Sequence, residues 1–307
     1  MPAALKRISK TILTQPQINR GLRAILSIGS IRARIPPVQL NRFPVVGRVE
    51  LPLWNGQSVY FYTDGEDTIA TRLYWQGLPA FEPSTYNLFR TLLAKTHCFV
   101  DIGANTGFYT VVAGGSDRAR HIHAFEPVPT INKYLRRNVE QNGLSQVTIN
   151  ESAVTNYDGS IKLYIPDAAM LPTSASTLSG FRKAVLELDR PAVTLDAYFA
   201  QHREASIDLI KIDTEGTEPL VLAGAQKILT THGPAIICEV LHGQTEQRLH
   251  AVLDPTDYQY FLITEAGLIR KEQIEGDSTY ENLNYLFITP ARMQQMGLSA
   301  ANQENAV

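Results

Sequence analysis

Short apolar runs alternate with amphipathic stretches through most of the chain. Residues 98–102, 121–125, 146–150, 207–212, 235–241, 258–263 and 283–288 read as seven strands. Several are apolar at consecutive positions, as at Leu209-Ile210 and Ile236-Ile237. That is the pattern of strands covered on both faces. Helices are predicted from 108, over 130–141 and over 218–229. Asn142-Gly143 stops the second, and His232-Gly233-Pro234 ends the third. Strands separated by helices imply βαβ units. The expectation is an α/β fold, a doubly wound and mainly parallel seven-stranded sheet. Upstream, residues 45–63 alternate around Asn55-Gly56, a hairpin signal. Residues 84–94 read as a helix with Ser84 as N-cap after Pro83. The interval 151–206 breaks the rhythm. Residues 160–165 read as a strand after the Asp158-Gly159 turn, and 166–191, rich in Pro, Ser and Thr, read as an insertion or lid. The expected organisation is an extension over 1–40, a lead-in hairpin and helix over 41–90, a Rossmann-like domain over 91–290 and a tail over 291–307.

Charge changes this picture at one end. The 307 residues carry a formal net charge of −2, with 28 basic and 30 acidic groups. The first 49 residues hold nine of the basic groups and no acid, so the remainder carries 19 against 30, a formal −11. Ile18, Leu22, Ile25 and Leu26 fall at helical spacing, with Arg20 and Arg23 between them. Such a basic helix packs its apolar stripe on the main domain, contacts an anionic membrane surface or a partner, or belongs to a transit peptide, with packing the first expectation and the transit peptide the last. No aromatic interleaving or binding motif accompanies it, so no nucleic-acid partner is expected. No run approaches 18 apolar residues, and no secretory signal pattern is present. Two cysteines, Cys98 and Cys238, sit in strand runs. They exclude a disulfide framework and fit buried thiols in a reducing compartment, hence a cytoplasmic protein, at most peripheral at the inner face of the membrane.

Four acids mark the candidate site. Asp101, Glu126, Asp213 and Glu239 lie at or near the carboxyl ends of strand runs, where open α/β sheets bind ligands. The first loop reads Asp101-Ile-Gly-Ala-Asn-Thr-Gly107. Dinucleotide loops use three glycines so that backbone can approach a pyrophosphate. Here there are two, Gly103 and Gly107, and an acid ends the strand, which would repel a pyrophosphate. The acid suits a ligand with an ammonium group and a second positive centre. S-adenosylmethionine has both. Glu126, 25 residues on, can accept from both hydroxyls of a ribose. An NAD site in an oxidoreductase and a non-catalytic scaffold domain are the alternatives.

With these segments in view, the sequence resembles the FkbM-type class I methyltransferases. The resembling segments are Phe99-Val-Asp-Ile-Gly-Ala-Asn-Thr-Gly-Phe-Tyr-Thr110, His123-Ala-Phe-Glu-Pro127, Leu209-Ile-Lys-Ile-Asp-Thr-Glu-Gly216 with Glu218, and Ile236-Ile-Cys-Glu239. Phe81-Glu82-Pro83 and Thr194-Leu195-Asp196 join them, in the expected order over about residues 80–245. The resemblance implies an S-adenosylmethionine-dependent O-methyltransferase acting on sugar or polyketide hydroxyls. It implies Asp101, Gly103, Asn105 and Gly107 around the methionine part, Glu126 at the ribose and Ala153 near the adenine, with Glu82 reaching in from outside the core. The expected partner is a small-molecule or glycan hydroxyl acceptor; the sequence leaves oligomeric state open.

A sugar hydroxyl is a weak nucleophile near neutral pH, so a base or a metal is expected beside the methyl group. Asp213 and Glu215, two apart at a strand end, are the first candidates. They could supply a base, hold a divalent cation, or, in Glu215, cap the following helix. Glu239 and His242 are further candidates for the base. His121 and His123 share a strand face at a spacing that could ligate a metal, but they lie at the wrong end of the strand, so packing is expected. The aromatics around Trp54, Trp75 and Tyr86 suit packing over the sheet or stacking on a sugar.

Overall fold

The computed structural model describes residues 11–166 and 184–298. Helix α1 (Pro16–Leu26) leads through the single turns α2 (Gly29–Arg32) and α3 (Pro37–Leu40) into a hairpin, β1 (Val46–Pro52) and β2 (Ser58–Asp64). Helices α4 (Thr68–Gln76) and α5 (Pro83–Leu93) follow. Then come β3 (Cys98–Ile102), α6 (Phe108–Ser116), β4 (His121–Phe125), α7 (Pro129–Gln141), β5 (Val147–Asn150), β6 (Ala153–Val154), β7 (Gly159–Pro166), β8 (Ala184–Val193) and α8 (Leu195–Gln201). The chain continues with β9 (Leu209–Ile212), α9 (Glu218–Ala223), α10 (Gln226–Thr231), β10 (Ala235–Glu239), α11 (Glu246–Leu253), β11 (Gln259–Thr264), β12 (Gly267–Lys271), β13 (Asn284–Ile288) and α12 (Pro290–Gln295).

The central sheet has the order β12-β11-β13-β10-β9-β3-β4-β5. Strands β5, β4, β3, β9 and β10 are parallel. Strand β13 is antiparallel and wedged between β10 and β11. The seven expected strands are all present. The eighth, β12, extends the edge as the antiparallel partner of β11. It was not visible in the sequence because an edge strand with half-exposed residues has no continuous apolar run.

The sheet is covered on both faces, and single strands divide their side chains between two cores. In β3, Phe99 packs with Phe61, Phe89, Val112 and Leu135 on one face. Val100 and Ile102 pack with Ile210, Ile212, Val221 and Leu222 on the other. Each such side chain contributes roughly 1.5–3 kcal/mol by leaving water. The first core also takes Leu26, Leu40, Val59 and Leu73 from the segment before the sheet. Asn19 ties that segment down. Its buried side chain donates to Leu13 O (2.9 Å) and Pro44 O (2.6 Å) and accepts from Val46 N (3.0 Å). Buried polar groups persist when paired in this way.

Three sequence expectations are corrected. The helix after Glu82 has Glu82 as its N-cap and Pro83 in its first turn, not Ser84 as cap; proline suits that turn because its missing N–H has no helical partner. The helix expected over 218–229 is two helices broken at Gly224, where a Cβ would come within 2.1 Å of Thr155 O. The expected insertion contains strand β8, which pairs antiparallel with β7 and, with β6, forms a separate three-stranded sheet. Residues 167–183 of that expected insertion lie outside the described residues.

Candidate active site

The carboxyl ends of β3, β4, β9 and β10 open into a cavity of about 330 Å³, a size that suits a small organic ligand. Its lining follows the strand order of the sheet. Phe125, Val128, Ile131, Ala153, Val154 and Leu163, all buried and apolar, come from β4 and the segments after it, as does Glu126. Asp213, Glu215 and Glu239 come from the ends of β9 and β10, on the other side of β3, and Glu82, Ile69, Phe81 and Phe108 join the lining from outside the sheet.

Backbone geometry brings the loops together. Gly103 has φ +77°, and a Cβ there would stand 1.9 Å from Asp213 O. Only glycine lets the loop after β3 lie this close to the loop after β9. Asn105 also has positive φ (+52°), and its N–H donates to Glu126 Oε2 at 3.0 Å. Glu126 Oε1 accepts from Val128 N at 2.8 Å. Burial pushes the Glu126 carboxyl up to about 7, against the pull of those two amides. Gly107 has a packing reason: a Cβ there would meet Leu135 Cδ1 at 2.7 Å, and it does not line the cavity.

A belt of charge lies under the cavity. Lys211 and Asp101 are register partners on β9 and β3, and Ile237, the partner of Lys211, is two residues before Glu239 on β10. Side chains at period two share a face, so the strand pattern places Asp101, Lys211, Asp213 and Glu239 on one side of the sheet. Lys211 is 1% exposed, with Nζ 3.3 Å from Asp213 Oδ2. Burial opposes its charge, but Asp213, Glu82, Glu239 and Asp101 outweigh burial and hold the ammonium above its ordinary range. Glu82 accepts from Tyr109 Oη at 2.6 Å and from Asn284 Nδ2 at 3.3 Å. Burial raises its carboxyl, with Lys211 opposing. Burial, with repulsion from Asp213, Glu218 and Glu215, also raises the Glu239 carboxyl far above the carboxylate range, so it is protonated at neutral pH. Glu239 Oε2 is buried with no hydrogen-bond partner among the described residues.

Asp101 is placed differently from the expectation. It is 2% exposed, accepts from Thr110 Oγ1 at 2.6 Å and does not line the cavity. Its place is one layer below, where burial pushes it up to about 6. Thr110→Val should lower stability by about 1–3 kcal/mol, because it leaves a buried acid without its donor; urea unfolding measures this.

Glu218 orders the loop after β9. Its Oε1 accepts from Thr214 N (2.9 Å), Thr214 Oγ1 (3.0 Å) and Gly216 N (3.0 Å). The loop-ordering role that the sequence offered to Glu215 is therefore filled by Glu218. Glu215, at φ +56°, lines the cavity. His242 does not reach the site. Its Nδ1 is 2.8 Å from Gly276 O, the ring is half exposed, and it does not line the cavity. Lys211, Tyr109 and Asn284 were not singled out from the sequence. A lysine inside the apolar run Leu209-Ile-Lys-Ile212 was the signal for the first. At the opposite end of the sheet, His123 Nδ1 is 2.9 Å from Tyr198 Oη. His123 Nε2 and His121 Nδ1 each lie 3.0 Å from Glu204. His123 is buried within this hydrogen-bonded cluster, whereas the His121 side chain is mostly exposed beside Glu204.

The methyltransferase FkbM domain model matches residues 101–272. The 31-O-demethyl-FK506 methyltransferase FkbM of Streptomyces tacrolimicus is 27% identical over 208 residues, covering 59% of this chain and 76% of that protein. Among solved structures, a methyltransferase FkbM from Methylobacillus flagellatus KT is 16% identical over 72% of this chain, with TM-score 0.42. This chain covers 55% of that one, about half its length. A SAM-dependent O-methyltransferase from Thermotoga maritima is 9% identical over 85% of this chain and 97% of its own, with TM-score 0.40.

Proposed function

The chain belongs to the FkbM methyltransferase family, and on that premise we propose that it transfers a methyl group from S-adenosylmethionine to a hydroxyl of a sugar, glycolipid or related natural-product acceptor. The observation that carries this reading is the make-up of the cavity: buried apolar side chains from β4, β6 and β7, Glu126 after β4, and acids after β9 and β10. An adenine, a ribose diol and a cationic methionine end make matching demands. Glu239 Oε2, without a hydrogen-bond partner among the described residues, is a buried polar atom at the end of β10 that a ligand could pair.

Ala153, Val154, Val128 and Leu163 would hold the base, and Glu126 the ribose hydroxyls. Gly103, Asn105 and Glu82 would surround the methionine part. When bound, the donor supplies an electrophilic methyl on a sulfonium that is already a good leaving group. What the chain must add is position, dryness and a proton acceptor. Asp213 fills the last role. Lys211 fixes its Oδ2, and its side chain is one-third exposed where it lines the cavity. Asp213 would accept the proton of an acceptor hydroxyl placed beside it.

The test is calorimetric titration of the wild type and Glu126→Gln with S-adenosylmethionine and with NAD. Glutamine keeps the shape and loses the charge. Charge-assisted hydrogen bonds contribute about 1.5–3 kcal/mol, so affinity for S-adenosylmethionine should drop about tenfold to a hundredfold. Because burial pushes the Glu126 carboxyl up to about 7, wild-type affinity should also fall as pH drops through 7. The protonated acid is the poorer acceptor, and Glu126→Gln should lose that part of the slope. Tight binding of NAD in place of S-adenosylmethionine would sink the proposal.

A further inference from the structure

We infer that residues 12–38 form a docking surface for an anionic phospholipid bilayer. The helix α1 uses only part of its apolar stripe to hold the domain. Asn19 and Leu26 are buried, and Leu22 packs on the core. At 100° per residue, Ile18 and Ile25 fall together on the flank of that buried face. They remain 42% and 54% exposed. Ile12, Ile28 and Val38 are 47%, 50% and 75% exposed. Five of the ten large hydrophobic side chains exposed among the described residues thus fall in this one short stretch. Single exposed apolar residues are ordinary, but a local concentration marks a contact surface.

Charge selects the partner. Arg20 and Arg34 stand exposed in the same stretch, Arg20 across the buried face of the helix from Ile18 and Ile25, so that its long side chain flanks the apolar edge, whereas Arg23 and Arg32 turn inward to Val46 O and Trp75 O. No carboxylate precedes Glu50, while the chain from Glu50 onward carries the formal −11. The stretch itself carries no acid, so an anionic surface attracts it. Isoleucines entering the boundary between headgroups and acyl chains, with arginines at the phosphates, are the pattern of interfacial helices. Single-stranded nucleic acid would instead call for stacking aromatics, and there are none before Phe43.

The full chain should pellet with vesicles of phosphatidylcholine mixed with phosphatidylglycerol and stay in the supernatant with phosphatidylcholine alone. Arg20→Glu with Arg34→Glu should lower the partition coefficient on the order of tenfold or more. Ile18→Ser with Ile25→Ser should lower it by a similar factor. All four side chains face solvent, so thermal midpoints should be unchanged in both variants. Failure to pellet with the anionic vesicles, or equal pelleting with neutral ones, overturns the proposal. Loss with the arginine pair but not with the isoleucine pair also overturns it, since that is the behaviour of a general polyanion site.

Discussion

Asp213→Asn should reduce kcat by about 10²- to 10⁴-fold, the range over which a positioned base contributes to catalysis. Affinity for S-adenosylmethionine should fall by a smaller factor than kcat, because the substitution also removes one of the acids that line the cavity. The substitution is mild structurally, because the asparagine carbonyl can still accept from Lys211 Nζ, 3.3 Å from the present carboxylate oxygen. What it removes is the capacity to take a proton. Two neighbours serve as controls. Glu239 is already protonated at neutral pH through burial and its acidic neighbours, so Glu239→Gln replaces a neutral group by a neutral group and should keep most of the rate. Glu215→Gln should cost less than Asp213→Asn, because the side chain proposed as base is the one that Lys211 fixes. Single-turnover methyl transfer measured on all three decides the assignment. A full rate in Asp213→Asn with the loss moved to Glu215→Gln would transfer the role of base to Glu215.

Lys211→Met should be the most destabilising of the substitutions considered. The lysine is 1% exposed, and Asp213, Glu82, Glu239 and Asp101 all act on its charge. Breaking a buried ion pair by removing one partner costs about 3–5 kcal/mol, since the remaining charge is left uncompensated. The pH dependence gives the signature. Without the ammonium, the buried carboxyls are held further above their unfolded pKa values, so the folded state binds more protons than the unfolded one. Stability then falls as pH rises and recovers towards acid pH. The wild type keeps its pair until pH exceeds the raised pKa of Lys211. Denaturant unfolding at several pH values should therefore show a gap between variant and wild type that widens from acid to neutral pH. A gap of constant size would mean that the methionine simply packs badly.

Much of this architecture was legible in the residues. The seven strands announced themselves because parallel strands covered on both faces leave no room for polar alternation, and Asp101, Glu126, Asp213 and Glu239 stood out as the acids that end them. What the sequence hid was relations between strands. Strand β8 carries Glu187, Asp189 and Arg190, paired across to β7 through register and, at Lys162–Glu187, through an exposed salt bridge. In the sequence these charges merge with a polar insertion. The placement of Asp101 below the cavity depends on Thr110 one helix later. The displacement of His242 depends on Gly276, 34 residues away. Glu215 and Glu218 look alike as acids of one loop. Only the path of that loop gives the backbone amides to Glu218 and the cavity to Glu215.

The wedge position of β13 sets an order on biosynthesis. Strand β10 ends at Glu239, yet its outer neighbour is β13, which begins at Asn284. A nascent chain leaving the ribosome therefore displays the edge of β10, and leaves β11 without its β13 partner, until residue 288 has emerged. Open edges of this kind invite wrong pairing, and long-range pairing of strands is slow. Asn284 also hydrogen-bonds Glu82, 202 residues earlier. Closure of the sheet and completion of the acidic part of the cavity are thus one event, so the protein gains its proposed donor-binding capacity only once residues 284–288 have been translated.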